Sequence, residues 1–274
     1  MILENSLRRG SQEAEIIRKW YRKLHFSNTY DTVFKKMLVD TEITIKEEFT
    51  DNAKENFLTA LYRCEELEQK YVCYGIDSRI LLETLSDVVI WTEVWYDLTG
   101  QLGLMEVEWL KHHFSFQLFR LGRLQFCMNR AEHGLSDKRI SEGTPVIEVH
   151  IPAGLPLDIE ECKVSINAAK VFFEKYFPQH KYEYFTCHSW LLDKTLEKFL
   201  DKKSNILEFQ KLFNIVQADQ SDAILKYIFR WDAVREKISQ YEAKTKLAAK
   251  VKEYVVHGGI LYEAYGIFDK DEVC

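Results

Sequence analysis

Glu148 and His150 are the residues whose types and spacing best fit proton transfer. They stand two positions apart in 146–151, so a strand there would place both side chains on one face, opposite Ile147 and Val149. A carboxylate beside an imidazole orients the ring and raises its basicity, as a general base requires. The alternative is a half-buried histidine that is simply hydrogen-bonded to a strand neighbour.

A thiol, an imidazole and a hydroxyl are adjacent in Cys187-His188-Ser189. Successive strand residues point to opposite faces, so a strand here would prevent His188 from activating either neighbour as a nucleophile. A cysteine hydrolase is therefore only the third hypothesis. We expect His188 and Ser189 to bind a substrate or cofactor at the strand end, or Trp190 to anchor the core beneath them.

Arg120 and Arg123 place two cations beside Gly122. The arginine fork suits bidentate contacts with a carboxylate or a phosphate. The alternative is a solvated sheet edge that pairs with Glu148 across a hairpin. Both interpretations stay open.

Hydrophobic periodicity predicts the elements that must position these residues. The predicted strands are 117–126, 146–151, 182–192, 211–217 and 223–230. Asp158 and Glu161 form a capping box at the start of a helix that ends before Pro178. A last helix is predicted over 245–257, ended by the glycine pair 258–259.

The first part of the chain follows a different pattern. No proline precedes Pro145, and apolar residues recur at helical spacing in 16–24, 57–71 and 81–95. We therefore predict a helical N-terminal domain over 1–115. The remainder, 116–274, is predicted to be an α+β domain with a mixed sheet and flanking helices.

Composition and charge narrow the function classes. Hydrophobic residues make up 46% of the 274 residues and charged residues 29%, which is typical of a folded globular protein. Residues 1–113 carry 14 basic and 20 acidic side chains, whereas 114–274 carries 23 of each. An acidic first part repels phosphate backbones, so we expect no nucleic-acid partner and look for an anionic ligand in the second part.

The absence of certain sequence patterns predicts where the protein is located and whether it binds a metal. No apolar run approaches the ~18 residues that span a bilayer, and the first nine residues lack a secretory signal. We therefore expect a cytoplasmic protein without a membrane partner. The six cysteines form no CxxC or CxxH pair, which predicts reduced thiols and no metal site.

Four short motifs resemble a bacterial family of acyltransferase-domain proteins. They are FRLGRLQF at 119–126, VHIPAG at 149–154, CHSWLL at 187–192 and HGG at 257–259. Members of that family pair a helical N-terminal domain with a C-terminal domain similar to the GNAT superfamily of N-acetyltransferases. The resemblance is strongest over 116–268 and implies a GNAT-like fold there.

The resemblance also implies a ligand. Strands 146–151 and 182–192 would diverge and leave a slot for the pantetheine arm of acetyl-CoA or another acyl-CoA, with the pyrophosphate at loop 152–157 and the helix start that follows it. The predicted catalytic residues are Glu148, His150 and His188. The predicted cofactor-binding residues are Ile151, Ala153, Gly154, Leu155 and Ser189. The predicted substrate-binding residues are Arg120, Arg123, Tyr184 and Trp190.

Two features differ from the usual superfamily pattern. Only Gly154 supplies a flexible position where a glycine pair is usual, and 193–200 lacks the tyrosine that often serves as general acid. The leading hypothesis is an acyl-CoA-dependent acyltransferase that moves an acyl group from a thioester to an amine or hydroxyl of a small-molecule acceptor. The alternative is a non-catalytic GNAT-like module that binds a ligand or a protein, and the sequence allows a homodimer.

Overall fold

The computed structural model describes residues 2–40, 45–46, 48–131, 134–135 and 140–272, with side chains from residue 12 onward except that of residue 40. Contacts divide the chain into two compact units, 1–120 and 121–274. Each unit is described by itself below.

The first unit is helical, as predicted. Its helices are α1 (Ile2–Lys23), α2 (Asp31–Asp40), α3 (Ala53–Tyr74), α4 (Ser78–Thr99) and α5 (Val107–Phe114). The predicted apolar stripes form its interior, where Trp20, Phe57 and Leu85 are fully buried. Asn52 caps α3 by accepting the N–H groups of residues 54 and 55, because the first amides of a helix have no partner inside it.

A six-stranded mixed sheet follows, and all of it except residues 118–120 lies in the second unit. Its strands are β1 (Leu118–Leu121), β2 (Leu124–Arg130), β3 (Pro145–His150), β4 (Tyr184–Ser189), β5 (Asn214–Gln220) and β6 (Tyr262–Asp269). The strand order is β1-β2-β3-β4-β6-β5. β3 and β4 are parallel, whereas the other registered pairs are antiparallel. β5 ends the order, and its register with β6 shifts between Ile215 and Gln217.

Helices flank this sheet, as the α+β prediction requires. They are α6 (Ile159–Tyr176), α7 (Asn205–Gln210), α8 (Ala223–Ile228) and α9 (Lys246–Val256). Phe185 of β4 stacks on Phe268 of β6 at 4.9 Å between ring centroids and meets Phe126 of β2 edge-on. Residues that alternate with these aromatics, including Glu148, Thr186 and His188, therefore share the opposite, polar face of the sheet.

Three predicted strands differ from the structure. Segment 117–126 is a hairpin, because Gly122 turns the chain with φ +80°. Side chains alternate between the two faces with a period of two in both arms of the hairpin. The glycine was therefore the only sequence signal for the turn. The strand predicted over 223–230 is wrong, since 223–228 is the helix α8, too short for its period to be recognised. β5 starts three residues later than predicted, at Asn214.

The end of β4 and the last strand also differ. The predicted strand 182–192 ends at Ser189, whose Oγ accepts the N–H of Leu191 and starts a 3₁₀ helix at Trp190–Leu192. Trp190 therefore does not continue the strand, as was predicted, but begins the 3₁₀ helix. Strand β6 was not predicted at all.

Candidate active site

β3 and β4 separate halfway along their length. Their register pairs Val146 with Tyr184, Ile147 with Phe185 and Glu148 with Thr186, and within these fully described strands it goes no further. β3 nevertheless stays paired to β2 as far as His150, and β4 stays paired to β6 as far as Ser189. Each strand is thus held from its outer side while the pairing between the two stops after Glu148 and Thr186, as the predicted divergence requires. We call the unpaired region between the two strand ends the gap.

Glu148 and His150 lie at the start of this gap, on the polar face. Nε2 of His150 is 3.5 Å from Oε2 of Glu148, and the two side chains are 28% and 30% exposed. Nδ2 of Asn129 on β2 donates to Oε1 of Glu148 at 3.2 Å. The carboxylate is therefore oriented by an amide on one oxygen and faces an imidazole with the other, an arrangement that suits a general base.

His188 occupies the other side of the gap, on β4. Its ring stacks on that of Tyr265, its cross-strand partner on β6, with 3.8 Å between centroids and 5° between planes. His188 is exposed and lies two residues beyond Thr186, the register partner of Glu148. The structure thus puts all three predicted catalytic residues on one face of the sheet.

Cys187 is on the opposite face from His188 and is buried. Burial raises the pKa of its thiol far above the usual value, and the negative charge of Glu148 adds to this effect. A protonated thiol in the core cannot act as a nucleophile at neutral pH. Both observations argue against the cysteine hydrolase.

Arg123 organises the loop that follows β3. Its guanidinium donates to the carbonyl oxygens of Pro156 (Nε, 2.7 Å), Pro152 (Nη1, 3.1 Å) and Leu155 (Nη2, 2.8 Å), and only 5% of the residue is exposed. The alternative of a solvated edge residue is therefore wrong for Arg123. Because C=O and the following N–H point in opposite directions across a planar peptide, this grip turns the amides of Ala153 and Leu157 away from Arg123.

The N-terminus of α6 is less open than expected. Oδ1 of Asp158 accepts the N–H groups of Glu160 and Glu161, at 3.0 and 3.1 Å. The Asp158 cap of the predicted capping box is confirmed, but it occupies two of the amides that were expected to meet a phosphate. Loop residues Ala153, Gly154 and Leu155 are exposed, and Gly154 has φ +95°.

The remaining predicted residues are dispersed. Arg120 belongs to the first unit, where its N–H donates to Thr84 and its guanidinium to Ser86. Tyr184 is half-buried at the paired start of β4, and Ile151 is half-buried at the end of β3. Trp190 lies 5.8 Å from the ring of Tyr227. The two arginines that the sequence placed together thus have separate partners.

Sequence reasoning missed three residues on the polar face of the sheet: Gln125, Asn129 and Tyr265. The first two share the polar face of β2, which pairs with β3 in the register Gln125↔His150 and Cys127↔Glu148. Their alternate spacing was visible, but only the pairing shows which residues they face.

Among the described residues, no group of three or more His, Cys, Asp or Glu could hold a metal ion, and no described helix is long and apolar enough to cross a bilayer.

A mixed sheet that splits between two parallel strands, followed by a loop and a helix, defines a GNAT-like domain. A family model described as the GNAT-like C-terminal domain matches residues 118–268, and one described as the N-acyltransferase N-terminal domain matches residues 14–116. The chain belongs to the GNAT-like C-terminal domain family, here preceded by that helical domain. None of the functionally curated proteins shows significant similarity in sequence.

Several solved structures share the fold. An acyltransferase in complex with decanoyl-CoA has 27% identity and a TM-score of 0.69, over 78% of this chain and 65% of that one. A complex with decanoyl-CoA and teicoplanin has 24% identity and a TM-score of 0.69, over 77% and 65%. A mutant acyltransferase in complex with octanoyl-CoA has 24% identity and a TM-score of 0.70, over 78% and 66%. This chain thus covers slightly less than two thirds of each neighbour's length.

Proposed function

We propose that this protein is an acyl-CoA-dependent acyltransferase that moves an acyl group to an amine or hydroxyl of a small-molecule acceptor. The observation that carries the proposal is the end of β3–β4 pairing at Glu148 and Thr186, directly beside the Glu148–His150 pair. The structural neighbours that bind octanoyl- and decanoyl-CoA support it.

The gap fits the pantetheine arm of CoA. Alternate residues along a strand turn their N–H and C=O groups to opposite neighbours, so one of Val149 and His150 addresses the side where β4 has separated. An amide-containing chain can bond to these groups as a further strand would. Loop residues 153–155 are exposed, and Arg123 holds the Pro152 carbonyl so that the N–H of Ala153 points away from the guanidinium, an arrangement that suits the pyrophosphate.

Glu148 is assigned the role of general base in this proposal. It takes the proton of the attacking amine or hydroxyl, while Asn129 and His150 fix its orientation. Acyl-CoA supplies the acyl group already activated as a thioester. Backbone N–H groups of the separated strand polarise the thioester carbonyl, and His188 and Tyr265 line the acceptor side.

Ligand binding to the full chain tests the proposal. We expect CoA, acetyl-CoA, octanoyl-CoA and decanoyl-CoA to raise the Tm, with ATP as a control for unspecific pyrophosphate binding. At a ligand concentration 100 times Kd the stabilisation is about 2.7 kcal/mol, or roughly 5–10 °C for a chain of this size.

Turnover is then followed as thiol release from the acyl-CoA that gives the largest shift, against a panel of amines and alcohols. Release that depends on both acyl-CoA and acceptor supports the proposal. No Tm shift at millimolar acyl-CoA, together with no thiol release, overturns it.

A second candidate is a GNAT-like module that binds its ligand without chemistry. The single glycine of the loop and the two helix amides occupied by Asp158 favour this alternative, because both reduce the groups available to a pyrophosphate. It predicts a Tm shift with acyl-CoA but no thiol release against any acceptor.

A further inference from the structure

Gln125 is a polar side chain in an unusual position. It lies on β2 and is 1% exposed, and Nε2 reaches no hydrogen-bond acceptor within the part of the chain that the structure describes. Leaving a buried amide unpaired is costly, and native proteins rarely do so without a reason. By contrast Gln210, buried in the same unit, donates to the carbonyls of Leu191 and Asp193.

The neighbours of Gln125 indicate the reason. It stands directly opposite His150 in the β2–β3 register, and Cys127 stands opposite Glu148. Gln125 therefore shares the polar face with both residues, within about 5 Å of His150 between Cβ atoms. Burial and the charge of Glu148 raise the pKa of the Cys127 thiol, so this neighbour stays protonated. The unpaired amide thus lies on the same face of the sheet as the proposed base, opposite its histidine partner.

We infer that Gln125 is a positioning residue that holds a water molecule between its Nε2 and the Glu148–His150 pair. An internal water needs two to four polar partners, and this site offers an amide donor, a carboxylate oxygen and an imidazole nitrogen. The water accepts one hydrogen bond from Gln125 and donates to Glu148. Its second lone pair remains for the N–H or O–H of an acceptor.

The inference rests on the proposed function, and it completes the path of the proton. The acceptor's proton passes to the water while one proton of the water passes to the Glu148 carboxylate. A lone pair of the acceptor's nitrogen or oxygen forms the new bond to the acyl carbon, and the electron pair of the broken N–H or O–H bond stays on that atom. The C–S bonding pair leaves with the sulfur of CoA, and the proton taken up by Glu148 is passed to that sulfur to give the thiol and restore the carboxylate.

Gln125→Leu tests this role, with Gln210→Leu as the matched control. Both substitutions replace a buried amide with an apolar side chain of similar size. We expect Gln125→Leu to keep the wild-type Tm, because it breaks no hydrogen bond within the protein. Gln210→Leu removes two hydrogen bonds, to the carbonyl groups of Leu191 and Asp193, and should lower the Tm.

Kinetics separate positioning from a structural role. A general base contributes about 10²–10⁴-fold, so we expect loss of its ordered water in Gln125→Leu to lower kcat about tenfold while KM for acyl-CoA is unchanged. The ascending limb of kcat/KM against pH should move to higher pH, because the carboxylate anion loses a donor acting through the water. Asn129→Leu, which removes the direct donor to Glu148, should move that limb in the same direction.

A high-resolution crystal structure of the wild-type protein gives a readout independent of activity. We expect ordered water within hydrogen-bond distance of both Gln125 Nε2 and Glu148, absent in Gln125→Leu. No such water, or a Gln125→Leu variant with raised Tm and unchanged kcat and pH profile, overturns the inference. Failure of the proposed function is distinct, since it would appear as a wild-type protein that neither binds acyl-CoA nor releases thiol.

Discussion

Each unit of the molecule contains a carboxylate beside a histidine, and the two pairs are built differently. In the helical unit, Oδ2 of Asp87 accepts from Nε2 of His113 at 3.1 Å and from Nε1 of Trp109 at 2.8 Å. The Asp87 and His113 side chains are 5% and 0% exposed. In the sheet unit, Glu148 and His150 are 3.5 Å apart and nearly a third exposed.

The difference separates a structural pair from one that can do chemistry. A carboxylate enclosed by fixed donors cannot accept a proton without losing its bonds, and no substrate reaches it. A carboxylate at the start of an open gap keeps access to an acceptor while an amide and an imidazole hold it in place. Residue type and pairing alone would not distinguish the two sites; exposure and the neighbouring backbone do.

The largest expected effect is on turnover. Glu148→Gln keeps the shape of the side chain and its oxygen for Asn129, but it cannot take a proton. We expect kcat to fall by about 10²–10⁴-fold, with the Tm nearly unchanged because the site is half-exposed. Thiol-release kinetics measure this, and Glu160→Gln on the surface of α6 is the control. Full turnover in Glu148→Gln would show that Glu148 is not the general base, so that the Glu148–His150 pair would not differ from the Asp87–His113 pair in chemistry.

The next effect is on stability. Asp87→Ala leaves His113 and the Trp109 N–H without their shared acceptor in the core. We expect the free energy of unfolding to fall by about 2–6 kcal/mol, because each of the two donors that lose this acceptor costs about 1–3 kcal/mol, as measured by denaturant titration.

Asp77→Ala in the same helical unit is the matched control. Asp77 caps α4 from an exposed position, so its loss should cost only about 1 kcal/mol. Equal losses in the two variants would contradict the structural role of the Asp87 pair.

The smallest effect concerns the loop beside the gap. Arg123→Lys cannot bridge three carbonyl groups, because an ammonium lacks the planar fork. We expect about tenfold weaker binding of CoA by calorimetry, with no change for a pantetheine thioester that lacks the pyrophosphate. Arg130→Lys, at an exposed carbonyl contact with Gly143, is the control. An equal loss for both ligands would mean that Arg123 only supports the fold.

Local sequence patterns predicted several features of the structure correctly. Alternation placed Glu148 and His150 on one face, Asp158 was recognisable as a helix cap, and helical spacing identified the interior of the first unit. Each of these features depends on residues within a few positions of one another. The GNAT-like architecture itself came from the motif resemblance.

The features that were missed depend on distant partners or on short elements. Arg123 contacts carbonyls 29 to 33 positions away, so its role could not be read from its neighbours in sequence. Gln125 and Asn129 became visible only through the register of β2 with β3. α8 has six residues, fewer than two helical turns, and its apolar residues were compatible with a strand.

The irregular register of β5 has a consequence for how copies of this protein behave at high concentration. A terminal strand offers backbone groups to which another chain could add and so begin aggregation. The shift between Ile215 and Gln217 interrupts the regular ladder, and Asp219 adds an exposed charge. Edge-to-edge pairing of two molecules through β5 is thereby disfavoured.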